Sequence, residues 1–236
     1  MDPGAFAFIA TGVAVAAFVQ GTTGVGFALI VAPLIGLLAP VLLPVCLLIL
    51  MLPLNAYVAW RERAALDRGG ASWITLGRFA GTFGGLWILV ALSAAYLNVL
   101  IGAVTIFAAL ATLLLPPFQA GRFSFVAAGL VTGITETATG IGGPPLALVY
   151  QHHAAAVLRS TIAICFLVGE VISLATLALA GRTDLGQLTT AVSLLPALVV
   201  GALLSRLVHR RVDGRALRAF VLTFALVSGA VLLLRG

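Results

Sequence analysis

A glycine-broken apolar segment occurs twice in this sequence. The two copies read Gln20-Gly21-Thr22-Thr23-Gly24-Val25-Gly26-Phe27 and Glu136-Thr137-Ala138-Thr139-Gly140-Ile141-Gly142-Gly143-Pro144-Pro145. They lie 116 positions apart (140 − 24) in a chain of 236 residues. In hydrocarbon an unpaired backbone N–H or C=O is costly, so a broken helix persists only inside protein or beside a polar cavity. A duplicated break of this kind points to the binding site of a membrane transporter.

The composition excludes a soluble domain. The chain is 62% hydrophobic and 8% charged, whereas a soluble domain has about 25% charged residues. Its long apolar runs cover 41–60, 71–92, 97–115, 160–180 and 185–205. Each run approaches the roughly 20 residues that a helix needs to cross a bilayer. The sequence therefore predicts a polytopic α-helical membrane protein.

The charged and sulfur-containing residues narrow the function further. The net charge is +6 and all thirteen basic residues are arginine, but no basic and aromatic residues alternate as in a nucleic-acid-binding surface. Cys46 and Cys165 lie far apart in apolar runs, so we expect buried free thiols. We expect no metal and no cofactor. The N-terminus lacks a basic region, and we expect no cleaved signal peptide.

The arginine-rich loops indicate how the broken segments run. If each break lay within one continuous crossing, loops 61–68 and 206–215 would face opposite sides, against the positive-inside rule. If each break reverses the chain, one side collects the loops 61–70, 116–122, 152–159 and 206–215. That side then holds ten arginines, namely Arg61, Arg63, Arg68, Arg122, Arg159, Arg206, Arg210, Arg211, Arg215 and Arg218. The other side keeps Arg182 and Arg235. The charges favour two hairpins, with these loops in the cytoplasm and both termini outside.

The same topology makes the second half an inverted copy of the first. We expect an all-α polytopic fold of two inverted-topology repeats, each a short-helix hairpin with a Gly-rich break plus three transmembrane helices, about 8–10 helical segments in all. The N-terminal repeat covers 1–118, with the hairpin at 5–38 and helices at about 41–60, 71–92 and 96–115. The C-terminal repeat covers 119–236, with the hairpin at 123–152 and helices at about 157–181, 185–206 and 214–234.

These motifs resemble those of the sulfite exporter TauE/SafE family, also called TSUP permeases or domain of unknown function 81. The residues that carry the resemblance are Gly21, Gly24, Gly26, Pro33, Asn55, Arg61 and Asp67 in the first half and Gly133, Gly140, Gly142, Gly143, Pro144 and Pro145 in the second. The resemblance covers essentially the whole chain. It implies transport of small sulfur-containing anions: sulfite, thiosulfate or organosulfonates such as sulfoacetate. The chain departs from the family's frequent run of three consecutive glycines, because the first copy has Gly24-Val25-Gly26-Phe27 and the second ends Gly142-Gly143-Pro144.

The broken segments also suit an anion on physical grounds. A half-helix that begins after each break exposes unpaired N–H groups and the positive end of its dipole, and glycine lets the backbone approach a ligand closely. The predicted substrate-binding residues are Gln20, Gly21, Thr22, Thr23, Gly24, Val25, Gly26, Thr137, Thr139, Gly140, Ile141, Gly142 and Gly143. The alternative is that the small residues only permit tight helix packing, as in GxxxG motifs.

Charged residues inside the apolar runs are Arg78, Glu136 and Glu170. A charge in the membrane is a functional candidate by default. Glu136 takes the place of Gln20 in the second copy and would repel an anion unless it is protonated, so Glu136 and Glu170 are candidates for proton coupling. A structural cap is the alternative for Glu136, and snorkelling to the surface is the alternative for Arg78. Candidates for a path or gate are Asn55, Arg78, Gln151 and His152.

Two other functions remain open at this point. A channel-like anion pore would share the hairpins but would need no carboxylate, and a transporter of other small organic anions would use the same helix ends. No HExxH, GxSxG or Cys-His arrangement supports an enzyme. We therefore expect a non-enzymatic protein of the plasma or inner membrane. Its expected partners are a small anion and the lipid bilayer, with no nucleic acid, and it is a monomer or a homodimer.

Overall fold

The computed structural model describes residues 2–24, 26–92, 94–114, 120–208 and 214–235. Over these residues the chain forms ten α-helices and no β-strand. The helices are α1 (Pro3–Thr23), α2 (Phe27–Leu38), α3 (Val45–Arg61), α4 (Arg68–Ala91), α5 (Ala94–Leu114), α6 (Arg122–Thr139), α7 (Gly143–Val149), α8 (Ala155–Leu179), α9 (Leu185–Val208) and α10 (Gly214–Arg235). Short 3₁₀ turns at Pro40–Leu42 and Arg63–Ala65 follow α2 and α3.

Five helices of the described chain are long and apolar enough to cross a membrane. They cover Pro3–Thr23, Arg68–Ala91, Tyr96–Leu114, Ala155–Leu179 and Leu185–Leu207. Shorter apolar helices lie at Phe27–Leu38, Val45–Arg61 and Ala219–Leu234. The prediction of an all-α polytopic membrane protein is confirmed.

The helices on either side of each break differ in length. α1 has 21 residues and α6 has 18, whereas the returning helices α2 and α7 have 12 and 7. At 1.5 Å per residue, α1 is about 31 Å long and matches the hydrocarbon thickness. Short helices were expected on both sides of each break, but α1 is long enough to cross, and the returning helices α2 and α7 are the shorter members of their hairpins. The longer α1 follows from unbroken apolar sequence between Pro3 and the first break.

Both breaks begin at a glycine in the left-handed conformation. Gly24 ends α1 with φ of 86°, and Gly140 ends α6 with φ of 83°. The Gly24 N–H donates to the Gln20 carbonyl at 2.8 Å, and the Gly140 N–H donates to the Glu136 carbonyl at 2.7 Å. This is the usual glycine termination of a helix, which other residues adopt only with strain. The glycines therefore determine where each helix stops and the chain turns back.

The helix contacts follow a paired pattern. α4 packs on α6, α1 packs on α9, α3 packs on α8 and α5 packs on α10. If α1 to α5 correspond in order to α6 to α10, the contact of α4 with α6 is equivalent to the contact of α1 with α9. The same correspondence turns the contact of α3 with α8 into itself, and likewise the contact of α5 with α10. This pattern is the one expected of two intertwined repeats, and the division at 1–118 and 119–236 stays a prediction.

Glycines bring the backbones of α4 and α6 into direct contact. A Cβ atom on Gly77, Gly81 or Gly85 would overlap backbone carbonyls of α6, and one on Gly129 or Gly133 would overlap backbone carbonyls of α4. Helices in membranes approach this closely only through small residues. The close approach places Arg78 of α4 beside Glu136 of α6.

Three of the arginine-rich segments meet at one end of the helix bundle. Glu62, just after α3, accepts hydrogen bonds from the Arg159 Nε at 3.0 Å. The Tyr57 ring near the end of α3 lies under the guanidinium of Arg61 at 5.4 Å and under that of Arg206 at 5.6 Å. The loops 61–70 and 152–159 and the end of α9 thus lie together, as the hairpin topology requires. Which side of the membrane they face stays a prediction.

Candidate functional site

Both glycine breaks border a single cavity of about 450 Å³. The first break contributes Gln20, Thr22, Thr23 and Gly26, and the second contributes Ile141, Gly143 and Pro144. Small-molecule sites span about 300–1,000 Å³, so the cavity has room for a small organic anion. Two segments that are 116 positions apart (140 − 24) in the chain therefore meet at one site.

The remaining wall is mostly apolar. It is formed by Ala28, Leu29, Met51, Ala147, Leu148, Leu158, Phe166, Val221 and Leu222 together with Thr112 and Gln151. None of the described lining residues carries a charge. Thr112 near the end of α5, Gln151 after α7 and Leu158 in the first turn of α8 place the cavity toward the arginine-rich end of the bundle.

Gln20 joins the first break to the start of the returning helix. Its side chain is 5% exposed, and its Oε1 accepts a hydrogen bond from the Phe27 N–H at 3.0 Å. Phe27 is the first residue of α2, and the first N–H groups of a helix have no partner within the helix. Gly26 at the cap position offers no side chain, so Gln20 supplies the missing acceptor. The following residues of this first turn, Ala28 and Leu29, lie in the cavity wall.

Gln151 contributes an unpaired donor to the wall. Its Nε2 is buried and has no hydrogen-bond partner among the described residues. A buried polar atom without a partner is unfavourable and calls for an explanation such as a missing ligand or water. A ligand acceptor in the cavity would satisfy this amide, as predicted for a path residue.

The threonines of the first break already use their hydroxyl protons. Thr22 donates to the Phe18 carbonyl at 2.9 Å and lies 3.3 Å from the Ser205 hydroxyl, and Thr23 donates to the Val19 carbonyl at 3.0 Å. A hydroxyl has one proton to donate, so contact with an anion requires these hydroxyls to rotate away from their helix. Both threonines lie in the cavity wall, and their binding role stays a prediction.

The second break contributes less to the wall than the sequence suggests. Thr137 is fully buried and lies 2.8 Å from the Ser173 hydroxyl. Thr139 donates to the Thr135 carbonyl at 2.7 Å and accepts from the Ile141 N–H at 3.3 Å. Neither threonine lines the cavity. Pro144 and the following proline also lack N–H groups, so α7 offers few donors at its start.

Four of the predicted glycines pack against other side chains instead of the cavity. A Cβ atom on Gly21 would overlap Ser205, one on Gly24 would overlap Arg159, one on Gly140 would overlap Leu47 and one on Gly142 would meet Glu136 and Thr132. For these positions the structure favours the packing alternative. Val25 lies outside the described residues.

Arg78 and Glu136 form an ion pair inside the bundle. The Arg78 Nη2 donates to the Glu136 Oε2, and both side chains are fully buried. The guanidinium also lies 5.2 Å from the centre of the Phe166 ring, and a Cβ atom on Gly169 would overlap it. Arg78 therefore does not snorkel to the surface and does not line the cavity. Three atoms of the pair have no partner among the described residues: Arg78 Nε and Nη1 and Glu136 Oε1.

Glu170 connects to the cavity through two amide side chains. The Asn55 Nδ2 donates to the Glu170 Oε1 at 2.7 Å, and the Gln20 Nε2 donates to the Asn55 Oδ1 at 3.5 Å. Glu170 is fully buried, and its Oε2 has no partner in the described chain. A line of side chains thus runs from Glu170 to the cavity wall. His152, the other path candidate, is exposed in the loop after α7 and does not line the cavity.

Asp67 fastens the second hairpin to the start of α4. Its carboxylate accepts from the Gly70 N–H at 3.0 Å and from the Tyr150 hydroxyl at 2.8 Å. Partial burial acts to raise the pKa of Asp67, but these hydrogen bonds outweigh it and hold the pKa below its usual value. The tip of the second hairpin is therefore attached to the loop between α3 and α4.

The apolar wall could not be identified from the sequence. Met51, Phe166 and Leu222 are apolar residues within apolar helices, and nothing in their spacing distinguishes them from lipid-facing neighbours. Thr112 was the one available signal, since it is a lone hydroxyl near the end of an apolar run.

The two cysteines are buried and unpaired, and no group of three or more His, Cys, Asp and Glu in the described chain could hold a metal.

Comparison with known proteins agrees with this architecture. The model of one protein family, described as sulfite exporter TauE/SafE, matches residues 8–232. No curated protein and no solved structure matches the chain significantly. The family match covers nearly the whole chain, including both breaks and every helix that borders the cavity. The chain therefore belongs to the sulfite exporter TauE/SafE family and is an integral membrane protein of this permease family.

Proposed function

We propose that this protein is a secondary transporter that binds a small sulfur-containing anion in the cavity between the two breaks. The observation that carries the proposal is the meeting of both breaks at one cavity with an unpaired amide donor, Gln151 Nε2. An anion there would accept from Gln151 and lie against the first turn of α2, where the helix dipole is positive. The family supplies the sulfur-containing class of substrate.

The character of the wall favours an organosulfonate such as sulfoacetate over bare sulfite. The cavity of about 450 Å³ has mostly apolar lining, and apolar groups in a site interact favourably with the carbon portion of a ligand. Among the few polar groups of the wall, the Gln151 amide is the donor without a partner in the described chain, and it would donate to a sulfonate oxygen. Sulfite and thiosulfate would leave much of this wall without contact.

Proton coupling would offset the charge of the anion, since the described lining residues carry no charge of their own. An anion that enters the membrane alone is unfavourable, and a proton that moves with it reduces the net charge transferred. Glu136 and Glu170 are the buried carboxyl groups able to carry that proton, and Glu170 is linked to Gln20 in the wall. The paired helix contacts support two inverted repeats, which would rock against each other to expose the site alternately.

The test is counterflow of labelled sulfoacetate in proteoliposomes that contain the purified protein. A transporter accelerates uptake when unlabelled sulfoacetate is present inside, because the empty carrier returns more slowly than the loaded one. Protein-free liposomes and sulfite, thiosulfate and acetate as competitors are the controls. Uptake without acceleration would identify a channel-like pore, and competition by acetate alone would identify a carrier of other organic anions. Either result contradicts the proposal.

A further inference from the structure

The buried charges do not balance. Arg78, Glu136 and Glu170 are each fully buried, and they carry one positive and two negative formal charges. An unbalanced charge in a membrane interior is strongly unfavourable, so one carboxyl group takes up a proton instead. The cluster is neutral with one proton, and the question is which carboxyl group holds it.

The partners of the two carboxyl groups are different. Glu136 is paired directly with the Arg78 guanidinium, which stabilises its charged form. Glu170 has the Asn55 amide as its hydrogen-bond partner, with the donor nitrogen 2.7 Å from Oε1, and Oε2 is unpaired. A neutral carboxyl group suits this arrangement, because its carbonyl oxygen accepts the amide N–H while the other oxygen carries the proton. Oε2 lacks a partner in the described chain in either state, and burying an unpaired O–H costs less than burying an uncompensated charge.

We infer that Glu170 holds the exchangeable proton of this buried cluster, that Glu136 remains the charged partner of Arg78, and that Asn55 is the positioning residue for the Glu170 carbonyl. When the proton leaves, the Glu170 O–H bond breaks, water accepts the proton, and the electron pair stays on the carboxylate. The inference rests on the proposed proton-coupled transport for its biological role, but the location of the proton can be tested without a substrate.

The surroundings of α8 contain few other groups that could compensate Glu170. α8 packs against α3, α4, α6, α7 and the turn Arg63–Ala65. Among the described titratable groups on these elements, Glu136 of α6 and Arg78 of α4 act electrostatically on Glu170. From α3 the facing group is the neutral Asn55. On α8 itself, Cys165 is a buried thiol. The nearby groups that decide the charge of Glu170 are therefore Arg78 and Glu136.

A chain of hydrogen bonds connects the protonation state of Glu170 to the cavity. Asn55 donates to Glu170, Gln20 donates to Asn55, and Gln20 accepts from the Phe27 N–H at the start of α2. Loss of the proton makes Glu170 a stronger acceptor and pulls the Asn55 amide toward it. This changes the hydrogen bond between Gln20 and the Phe27 N–H at the start of α2, where the proposed anion lies. Proton and anion sites are thus coupled through side chains that the structure places in contact.

Infrared difference spectroscopy of the purified full-length protein locates the proton. In the wild type we expect a carbonyl band of a neutral carboxylic acid that disappears as the pH rises from mildly acidic to alkaline. Glu170→Gln should lose this band. Asn55→Leu should keep the band but shift it to higher frequency, because the carbonyl loses its hydrogen bond. Asn55→Ser removes the same donor with a smaller change in volume and should give the same shift. The matched control is Glu62→Gln at the bundle surface, which should leave the band unchanged.

A band that persists in Glu170→Gln, or one that stays unshifted in both Asn55 variants, would overturn the assignment. A transport measurement provides the second readout. In proteoliposomes, Glu170→Gln should lose the acceleration of net sulfoacetate uptake by a pH gradient, whereas Glu62→Gln should keep it. Failure of the band assignment with intact counterflow would refute this inference and leave the transporter proposal in place. If the wild type shows the expected bands but no counterflow, the transporter proposal is refuted and the location of the proton stands.

Discussion

Gly24 and Gly140 hold the same left-handed backbone conformation, with φ of 86° and 83°, at equivalent points of the two breaks. Each donates its N–H to the carbonyl four residues earlier, and those carbonyls belong to Gln20 and Glu136. An amide side chain at Gln20 and a carboxyl side chain at Glu136 therefore stand one turn before the two breaks. The left-handed glycines end both helices in the same way, whereas the side chains one turn earlier differ in chemistry.

Replacement of either glycine by alanine should destabilise the protein. The left-handed conformation costs about 1–2 kcal/mol for a residue with a side chain, and the added Cβ would also overlap Arg159 at Gly24 or Leu47 at Gly140. The midpoint of thermal unfolding in detergent measures this loss. Gly143→Ala is the control, because a Cβ there meets nothing within 4 Å. Equal midpoints for all three variants would contradict the geometry.

The contact between α4 and α6 should respond to the position of each added methyl group. Gly81→Ala and Gly85→Ala place a Cβ into backbone carbonyls of α6, and we expect about 1–3 kcal/mol of destabilisation from overpacking. Gly84→Ala on the same helix places its Cβ 3.2 Å from the Ile134 side chain, which can move. Its unfolding midpoint should stay close to that of the wild type. A loss at Gly84 as large as at Gly81 would argue against the packing.

The two ion pairs between the halves should differ in strength. Arg78 and Glu136 are fully buried, whereas Arg159 and Glu62 retain 27% and 13% side-chain exposure. Arg78→Met leaves a buried carboxyl group without its partner and should cost about 3–5 kcal/mol. Glu62→Gln breaks a solvent-screened pair and should cost about 0–1 kcal/mol.

A third variant separates lost pairing from lost volume. Arg78→Met combined with Glu136→Met replaces both charges with apolar groups, and it should recover part of the loss seen in Arg78→Met. Thermal unfolding of the three variants under one condition provides the comparison. Equal losses for Arg78→Met and Glu62→Gln would show that the buried pair is not formed.

The Asp67 contact predicts a specific dependence of stability on pH. Because the pKa of Asp67 is lowered in the folded state, its contribution is present above the unfolded pKa of about 3.9 and is lost as the pH falls through the lower folded value. Tyr150→Phe removes one donor and raises the pKa of Asp67 toward its ordinary value. The stability difference between wild type and variant should therefore be largest above about pH 4 and shrink at lower pH. A difference that grows on acidification would contradict this.

The sequence was sufficient for the architecture of the breaks but not for their surroundings. Gly24 and Gly140 were predicted to interrupt the helices because the same glycine-broken segment occurs twice, and both glycines end a helix in the structure. Thr137 and Thr139 were predicted to offer hydroxyl donors to an anion, and the structure joins them to Ser173 and Thr135. Sequence spacing places a residue near a turn and does not state which way its side chain faces.

The sequence could not predict the partners of the buried charges, for a related reason. The sequence marked Arg78, Glu136 and Glu170 individually, because a charge in an apolar run is rare. Their pairing depends on the contact of α4 with α6, which is formed by residues 58 positions apart in the chain. The glycines of α4 lie at this contact, but nothing in the sequence identified α6 as the partner helix. The link from Glu170 through Asn55 to the cavity also required the packing of α3 on α8.

The central claim is that both breaks contact one anion, and isothermal titration of the purified protein with sulfoacetate tests it most directly. Thr22→Asp places a carboxylate on the wall from the first break, and Gly143→Asp does so from the second, where a Cβ meets nothing within 4 Å. Each should weaken binding about tenfold or more, which corresponds to about 1.4 kcal/mol. Thr11→Val on the exposed face of α1 is the control and should bind as the wild type does. Wild-type binding that is weakened by only one of the two carboxylates, or by neither, would contradict a shared site.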